Sequence, residues 1–217
     1  MNCFVCGDLA GKFVDKKSDV AYYQCESCEC IFKSPDVHGN FAEQKERYDL
    51  HENSDENNGY RAYFQSFIDF IFPLSVQPQN ALDFGCGEST LLAKMLEEKG
   101  IECDSYDPIY HPATSYNSKK YELITSVEVF EHLHHPKEVF SELIHLLEEG
   151  GFLAIRTEFA TMNIEKFKQW YYRSDPTHVF FFSERTFEKL CSENFCEIVK
   201  CNEKNMILIK KLIQNKD

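Results

Sequence analysis

Four cysteines open the chain at a spacing that can hold a metal ion. Cys3, Cys6, Cys25 and Cys28 read C-x2-C and again C-x2-C, with residues 7 to 24 between the pairs. Two intervening residues let a tight turn aim both sulfurs at one ion. Two such turns complete a tetrahedral cage with Zn–S bonds of about 2.3 Å. Gly7, directly after the first pair, suits the sharp backbone turn. Four thiolates leave no open coordination position, so the expected zinc is structural. Iron fits the same sulfur cage, and a pair of redox CxxC motifs is a further reading of the spacing. Cys30 lies two residues past the cluster. Cys86, Cys103, Cys191, Cys196 and Cys201 have no metal-like pairing, and a small buried apolar residue is the plain reading of most of them.

A second constellation surrounds "LDFGCGEST" at 82 to 90. Asp83 stands at the carboxyl end of an apolar strand, and Gly85 and Gly87 follow in a turn that opens a helix. Glycines there admit a ligand close to the backbone, and the helix start offers N–H groups without partners. Twenty residues beyond Gly87, Asp107 ends the next strand. An acid at that place accepts hydrogen bonds from ribose hydroxyls in nucleotide-binding α/β folds. A dinucleotide fingerprint needs G-x-G-x-x-G, whereas the string here is Gly85, Cys86, Gly87, Glu88, Ser89, Thr90. The third glycine is missing and Glu88 would set a negative charge beside phosphates, so a nucleoside without phosphate suits the loop better. For a lone GxG, a plain tight turn is the competing reading.

Proton-accepting side chains gather in two further segments, "EVFEHLHH" at 128 to 135 and "WYYRSDPTHV" at 170 to 179. Each follows an apolar strand, on the sheet edge where open α/β folds bind ligands. The second segment combines the only Trp with Tyr171, Tyr172, Arg173, Asp175 and His178. Plainer readings stand beside the chemical ones. His134 and His135, next to Pro136, suit a solvated loop, and Glu128 suits a carboxylate at a helix start. Trp170 and the run Phe180 to Phe182 would serve as a core wedge, with His178 bonded to backbone.

The elements that must position these groups are readable in outline. The 217 residues suffice for one full-sized domain and a small appendage, and 19 Phe, 11 Tyr and one Trp supply a large core. From residue 80 onward, short apolar strands alternate with helices ("ALDFG", "STLLAKMLEEKG", "IECDSYD", "YELITSVEV", "PKEVFSELIHLLEEGG", "FLAIRTE"), the pattern of a parallel sheet with crossover helices. Gly100 and Gly150 sit where glycines would end two of those helices. The tail reads as helix, strand, polar turn and strand, which closes the sheet with an antiparallel hairpin. Upstream, "KSPDVHGN" at 33 to 40 is linker-like, and a polar acidic stretch follows that should hold one helix and a loop. Residues 60 to 74 form an amphipathic helix ended by Pro73.

Composition narrows the function classes. The chain carries 23 basic and 36 acidic side chains, a net charge of −13, and no segment is basic. Nucleic-acid partners are therefore not expected, because phosphate binding rests on clustered Lys and Arg. The N-terminus lacks the charged and apolar regions of a signal peptide, so a reduced, cytoplasmic chain is expected. No apolar stretch approaches the ~20 residues of a membrane helix.

With these residues in view, the sequence resembles the class I S-adenosylmethionine-dependent methyltransferases over roughly residues 60 to 211. The resemblance rests on "LDFGCGEST", "YDP" at 106 to 108, "YELITSVEVFEHLHHP" at 121 to 136, and the Gly150–Gly151 turn before "FLAIRTE". More narrowly it is similar to the bacterial methyltransferases that carry an N-terminal four-cysteine zinc ribbon and a late "WYYRSDPTHVFFFS" block. The resemblance implies a zinc ribbon over 1 to 35, a linker and helical cap over 36 to 74, and a Rossmann-like methyltransferase domain over 75 to 217. It implies S-adenosyl-L-methionine as cofactor, with Asp83, Gly85 and Gly87, and Cys86 between them, at the methionine end. Asp107 would hold the ribose, and Ser126 to Glu128 would lie near the adenine or the acceptor. Glu131 and His132 are the family's recurrent pair. By the same resemblance His178 is the expected base, assisted by Tyr171 or Tyr172.

Two departures from the family pattern carry their own expectations. Ser89 stands where the third glycine would be and is expected to cap the helix. Only residues 108 to 120 separate Asp107 from the strand at Tyr121, too few for a strand with its crossover, so the family's third strand should be reduced or absent. The expected acceptor is a small molecule. An rRNA or tRNA methyltransferase is the alternative within enzymes, and a catalytically inactive cofactor-binding regulatory protein is the alternative outside them.

Overall fold

A computed structural model describes residues 1–16, 18–38, 58–112 and 114–214. The helix expected between 41 and 57 lies outside them. The chain starts with three antiparallel strands, β1 (Ala10–Asp15), β2 (Val20–Cys25) and β3 (Ile31–Lys33). After α1 (Asn58–Ile71), strands and helices alternate: β4 (Asn80–Phe84), α2 (Leu91–Glu97), β5 (Glu102–Tyr106), β6 (Tyr121–Val127), α3 (Pro136–Leu146) and β7 (Leu147–Arg156). The last part holds α4 (Ile164–Gln169), β8 (Phe180–Phe181), α5 (Glu184–Ser192), β9 (Cys196–Cys201) and β10 (Met206–Lys211).

Six strands form the main sheet in the order β5-β4-β6-β7-β10-β9, with β5, β4, β6 and β7 mutually parallel and β10 antiparallel to both neighbours. This is the Rossmann-like, mostly parallel sheet with a C-terminal hairpin that the sequence predicts. Among the described residues there is no third strand: β5 is the edge, and a short 3-10 turn at Thr114–Ser118 leads on to β6. Central strand β6 is buried along nearly its whole length, as a strand covered on both faces must be. Helices α1 and α2 cover one face through Phe67, Ile68, Leu92 and Leu96, and α3 and α5 cover the other through Phe140, Leu143, Phe187 and Leu190.

Local chemistry explains the element ends. Ser89 is not the cap of α2: Thr90 occupies the N-cap position without a side-chain capping bond, and the Ser89 hydroxyl, one residue earlier, accepts the Leu91 N–H at 3.2 Å. Gly100, at φ +81°, closes that helix with its N–H on Glu97 O. Gly150 does not end a helix. α3 stops at Leu146 because Leu147 already pairs with Tyr121, and Gly150, at φ +79°, lies where β7 loops out of register with β6 before re-pairing at Phe152.

The N-terminal module is not closed on itself. Its sheet runs β1-β2-β3-β8, so its fourth strand comes from Phe180–Phe181. Phe180 and Phe182 continue one apolar cluster from the cysteines, Val5 and Phe32 into the core under α3 and α5. Each fully buried Phe contributes roughly 1.5–3 kcal/mol, so the seam is held as firmly as either side of it. The Thr186 hydroxyl adds a bond to Cys28 O at 2.9 Å.

Candidate active site

The carboxyl ends of β4, β5 and β6 open into a cavity of about 890 Å³ roofed by Tyr60, Tyr63 and Phe64 of α1. One end is built by backbone. Gly85 (φ +77°) and Gly87 (φ +66°) shape the turn after β4, and a Cβ on Gly85 would come within 2.4 Å of the Val129 side chain. Asp107 ties this turn to the one after β5: Oδ2 accepts the Gly87 N–H at 3.2 Å, and Oδ1 accepts those of Ile109 and Tyr110 at 2.8 and 3.0 Å. Asp83 and Cys86 also line the cavity. Burial pushes the Asp83 carboxyl up to about 7, against the bond donated by Thr125 at 3.0 Å. Tyr116, from the turn that replaces the third strand, lies against Tyr106 with ring centroids 4.0 Å apart. Ser126 does not reach the cavity. Strand alternation turns it away while Val127 faces in, and its hydroxyl is buried without a hydrogen-bond partner among the described residues.

The other end is built by side chains. Glu128 sits at φ +54°, a conformation that costs a non-glycine residue energy and here follows directly from the end of β6. Its Oε1 accepts the Tyr63 hydroxyl at 2.8 Å. The Tyr172 hydroxyl lies 2.9 Å from Glu128 Oε2 and 2.6 Å from Glu131 Oε1, while Thr157 donates to Glu131 Oε2 at 2.8 Å. One phenol has one proton, so two carboxylates can share it only if one of them is protonated. Burial, and then the charge of Glu131, push Glu128 up to about 8, and burial also raises Glu131. At neutral pH the pair therefore holds a proton.

Two imidazoles adjoin this pair, their centroids 4.7 Å apart. His132 Nδ1 lies 3.1 Å from Thr177 O, and His178 Nδ1 lies 2.7 Å from Tyr172 O. A carbonyl only accepts, so both Nδ1 atoms carry hydrogen, and wherever the ring is neutral the lone pair is on Nε2. Burial, reinforced by neighbouring His132, lowers His178 to about 3 and keeps it neutral. His132, His178 and Glu128 line the cavity. Tyr171 does not; it is 73% exposed. Trp170 packs on Phe167 and Phe181, the wedge role weighed for it.

The sequence reading missed Tyr63, Thr157 and Arg156. The Arg156 guanidinium lies 3.5 Å from the Tyr63 ring centroid and donates to Tyr63 O and Ser66 Oγ, holding α1 over the site. Polar Arg156 and Thr157 at the carboxyl end of apolar "FLAI" were a usable signal for two of the three.

The segment bearing Tyr172 and His178 is hung on the N-terminal module. Arg173 pairs with Asp15 at 2.8 Å with both side chains buried, Lys33 Nζ donates to Asp175 O at 2.7 Å, and the Lys33 N–H reaches Val179 O at 2.9 Å. Beneath lies the cysteine cluster, with sulfurs 3.5 Å (Cys3–Cys28) and 3.4 Å (Cys6–Cys25) apart and all four within 4.8 Å of one another. Four sulfurs at about 2.3 Å from a tetrahedral centre stand about 3.8 Å apart, so this donor set fits zinc.

A Rossmann-like sheet with a glycine turn and an acid at the ends of adjacent strands, opening on a large cavity, is the arrangement with which α/β folds bind nucleotides. The chain belongs to a methyltransferase family: the family model described as a methyltransferase domain matches residues 57–200. No curated protein matches by sequence. Among solved structures, the chain is similar to an O-methyltransferase family protein from Burkholderia thailandensis (TM-score 0.54, 12% identity, covering 78% of this chain and 63% of that one). It is also similar to the mitomycin 7-O-methyltransferase MmcR (0.55, 10%, 79% and 58%) and to the StiE O-methyltransferase segment (0.51, 13%, 72% and 78%). The chain thus spans less than two thirds of the first of these proteins. Among the described residues no helix is long and apolar enough to cross a membrane.

Proposed function

We propose that the chain transfers a methyl group from S-adenosyl-L-methionine to a small-molecule acceptor, and that Cys3, Cys6, Cys25 and Cys28 hold a structural zinc ion. The observation that carries this reading is the cavity that joins the glycine turn and Asp107 to Glu128 and the paired imidazoles. The bound cofactor supplies a methyl group activated on a sulfonium. Around it, Gly85, Cys86 and Gly87 give backbone approach, Asp107 takes the ribose hydroxyls, and Asp83 faces the ammonium of the methionine end. At the far end, Nε2 of His132 takes a proton from the acceptor, the Glu131 carboxylate 3.8 Å away stabilises the imidazolium that results, and His178, held neutral by burial, orients the acceptor. Tyr172 acts on the carboxylates and not on the acceptor, since its hydroxyl is committed to Glu128 and Glu131. The lining carries Asp83, Glu88, Asp107, Glu128, Glu142 and Asp175, with no Lys or Arg among its described residues. That favours a neutral or cationic acceptor over a phosphate or carboxylate.

Calorimetric titration with S-adenosylmethionine tests the cofactor half. Asp107→Ala should weaken binding by at least about tenfold, the worth of hydrogen bonds to a charged group; equal affinities would overturn the ribose assignment. Labelled cofactor in cell extract tests the acceptor half. Label should stay in the small-molecule fraction after nuclease and protease treatment, and label that enters RNA or protein defeats it.

A further inference from the structure

We propose that Glu131, His132 and His178 form a second metal site, for one divalent first-row transition ion, at the acceptor end of the cavity. The inference rests on the reading above but changes its base: with the ion bound, both Nε2 lone pairs would be taken, and an acceptor hydroxyl held by the cation would lose its proton to solvent instead; its test does not depend on methyl transfer. One ligand atom from each residue lies within 4.8 Å of the others, and His132 Nε2 stands 3.8 Å from Glu131 Oε1. Bonds of about 2.0–2.2 Å would bring such atoms to roughly 3 Å apart.

The surroundings are those of ligands already oriented. Both imidazoles donate their Nδ1 hydrogen to a backbone carbonyl, which fixes the tautomer that leaves Nε2 as the metal-binding atom. The Glu131 carboxylate is held in turn by the Thr157 and Tyr172 hydroxyls. Two imidazoles and one carboxylate select Fe²⁺, Mn²⁺, Co²⁺ or Zn²⁺ and leave coordination positions open. Because His132 and His178 line the cavity, those positions face the acceptor. The contrast with the cysteine cluster is direct: four thiolates close that ion off, whereas three nitrogen and oxygen ligands keep this one accessible. A cation here also supplies the positive charge missing from the acidic lining, and so admits an acceptor with a hydroxyl or adjacent hydroxyls that would bind through oxygen.

The experiment uses the full chain with its cysteine site loaded with zinc. Co²⁺ and Mn²⁺ are titrated separately, followed by visible absorption and by electron paramagnetic resonance, with zinc content measured throughout. The expected result is one added ion per chain, cobalt bands in the visible without thiolate-to-cobalt charge transfer, and zinc retained. His132→Ala and His178→Ala should each weaken binding more than about tenfold. Glu131→Asp, which keeps a carboxylate, should weaken it less than Glu131→Gln. No added ion at millimolar Co²⁺ and Mn²⁺ overturns the proposal, as does binding that all variants retain or that displaces zinc. Cofactor titration on the same samples separates this result from the methyltransferase reading, since S-adenosylmethionine binding without a second metal leaves that reading standing.

Discussion

The two ends of the cavity are made of different materials. At the glycine end the shape is backbone, fixed by β4, β5 and a carboxylate that accepts three N–H groups. At the histidine end the shape is side chain, and five groups from four parts of the chain (Tyr63, Glu128 with Glu131, Thr157 and Tyr172) share protons within hydrogen-bonding distance. The first end inherits its rigidity from the sheet. The second depends on the N-terminal module, through Arg173–Asp15, Lys33–Asp175 and the β3–β8 pairing. Cofactor affinity and acceptor chemistry should therefore be separable by mutation.

The largest effect that tests this separation is loss of the cysteine cluster. Cys25→Ser should abolish stoichiometric zinc and release the segment bearing Tyr172 and His178, costing methyl transfer about 10²-fold or more, the penalty for ångström-scale misplacement. Cofactor affinity should change only a few-fold. Metal analysis and calorimetry on the same sample check both. A parallel fall in cofactor affinity would show that the continuous apolar cluster through Phe32, Phe180 and Phe182 makes one cooperative unit of the two ends.

The same contrast explains what could be read without coordinates. The cysteine spacing, the glycine turn and Asp107 are local patterns, each fixed within a few residues or at one strand–helix–strand distance. The short gap between Asp107 and Tyr121 sufficed to anticipate the missing strand. The histidine end resisted because its contacts join residues far apart in sequence, such as Tyr63 with Glu128 and Lys33 with Asp175. Ser126 and Tyr171 were named from the family resemblance. Which face of a strand or turn a residue presents depends on phase, and neighbours one residue away, Val127 and Tyr172, face inward.

A smaller effect sharpens the glycine end. Gly85→Ala forces a side chain into φ +77° and onto Val129, whereas Gly87→Ala meets only the strain of φ +66° with open space around it. Gly85→Ala should cost about 1–3 kcal/mol of stability and at least tenfold in cofactor affinity, with Gly87→Ala less destabilising. Thermal melts order the two. Val129→Ala in the Gly85→Ala background should restore part of the loss, because it removes the clash and leaves the backbone strain. Equal destabilisation by the two alanines would show that strain alone, and not packing against the histidine-bearing turn, sets the price of this loop.

A pH-dependent effect lies in the shared proton. Glu128 is raised from about 4.5 to about 8 by burial and by Glu131, so between those values the folded chain holds a proton that the unfolded chain has released. Stability then falls as pH rises through that window, by up to about 1.4 kcal/mol per pH unit, and levels off above pH 8. Asp83, raised from 3.8 to about 7 by burial, adds a slope of the same sign at the glycine end. Glu128→Gln keeps the size and a donor for Tyr172 while removing the ionisation. The variant should match wild type below about pH 4.5 and gain on it progressively up to pH 8, with the Asp83 slope left in place. Denaturant unfolding at several pH values yields the difference curve. If that curve is flat while Glu131→Gln produces the slope, the proton of the pair resides on Glu131, leaving Glu128 as the anion that faces the cavity and the acceptor.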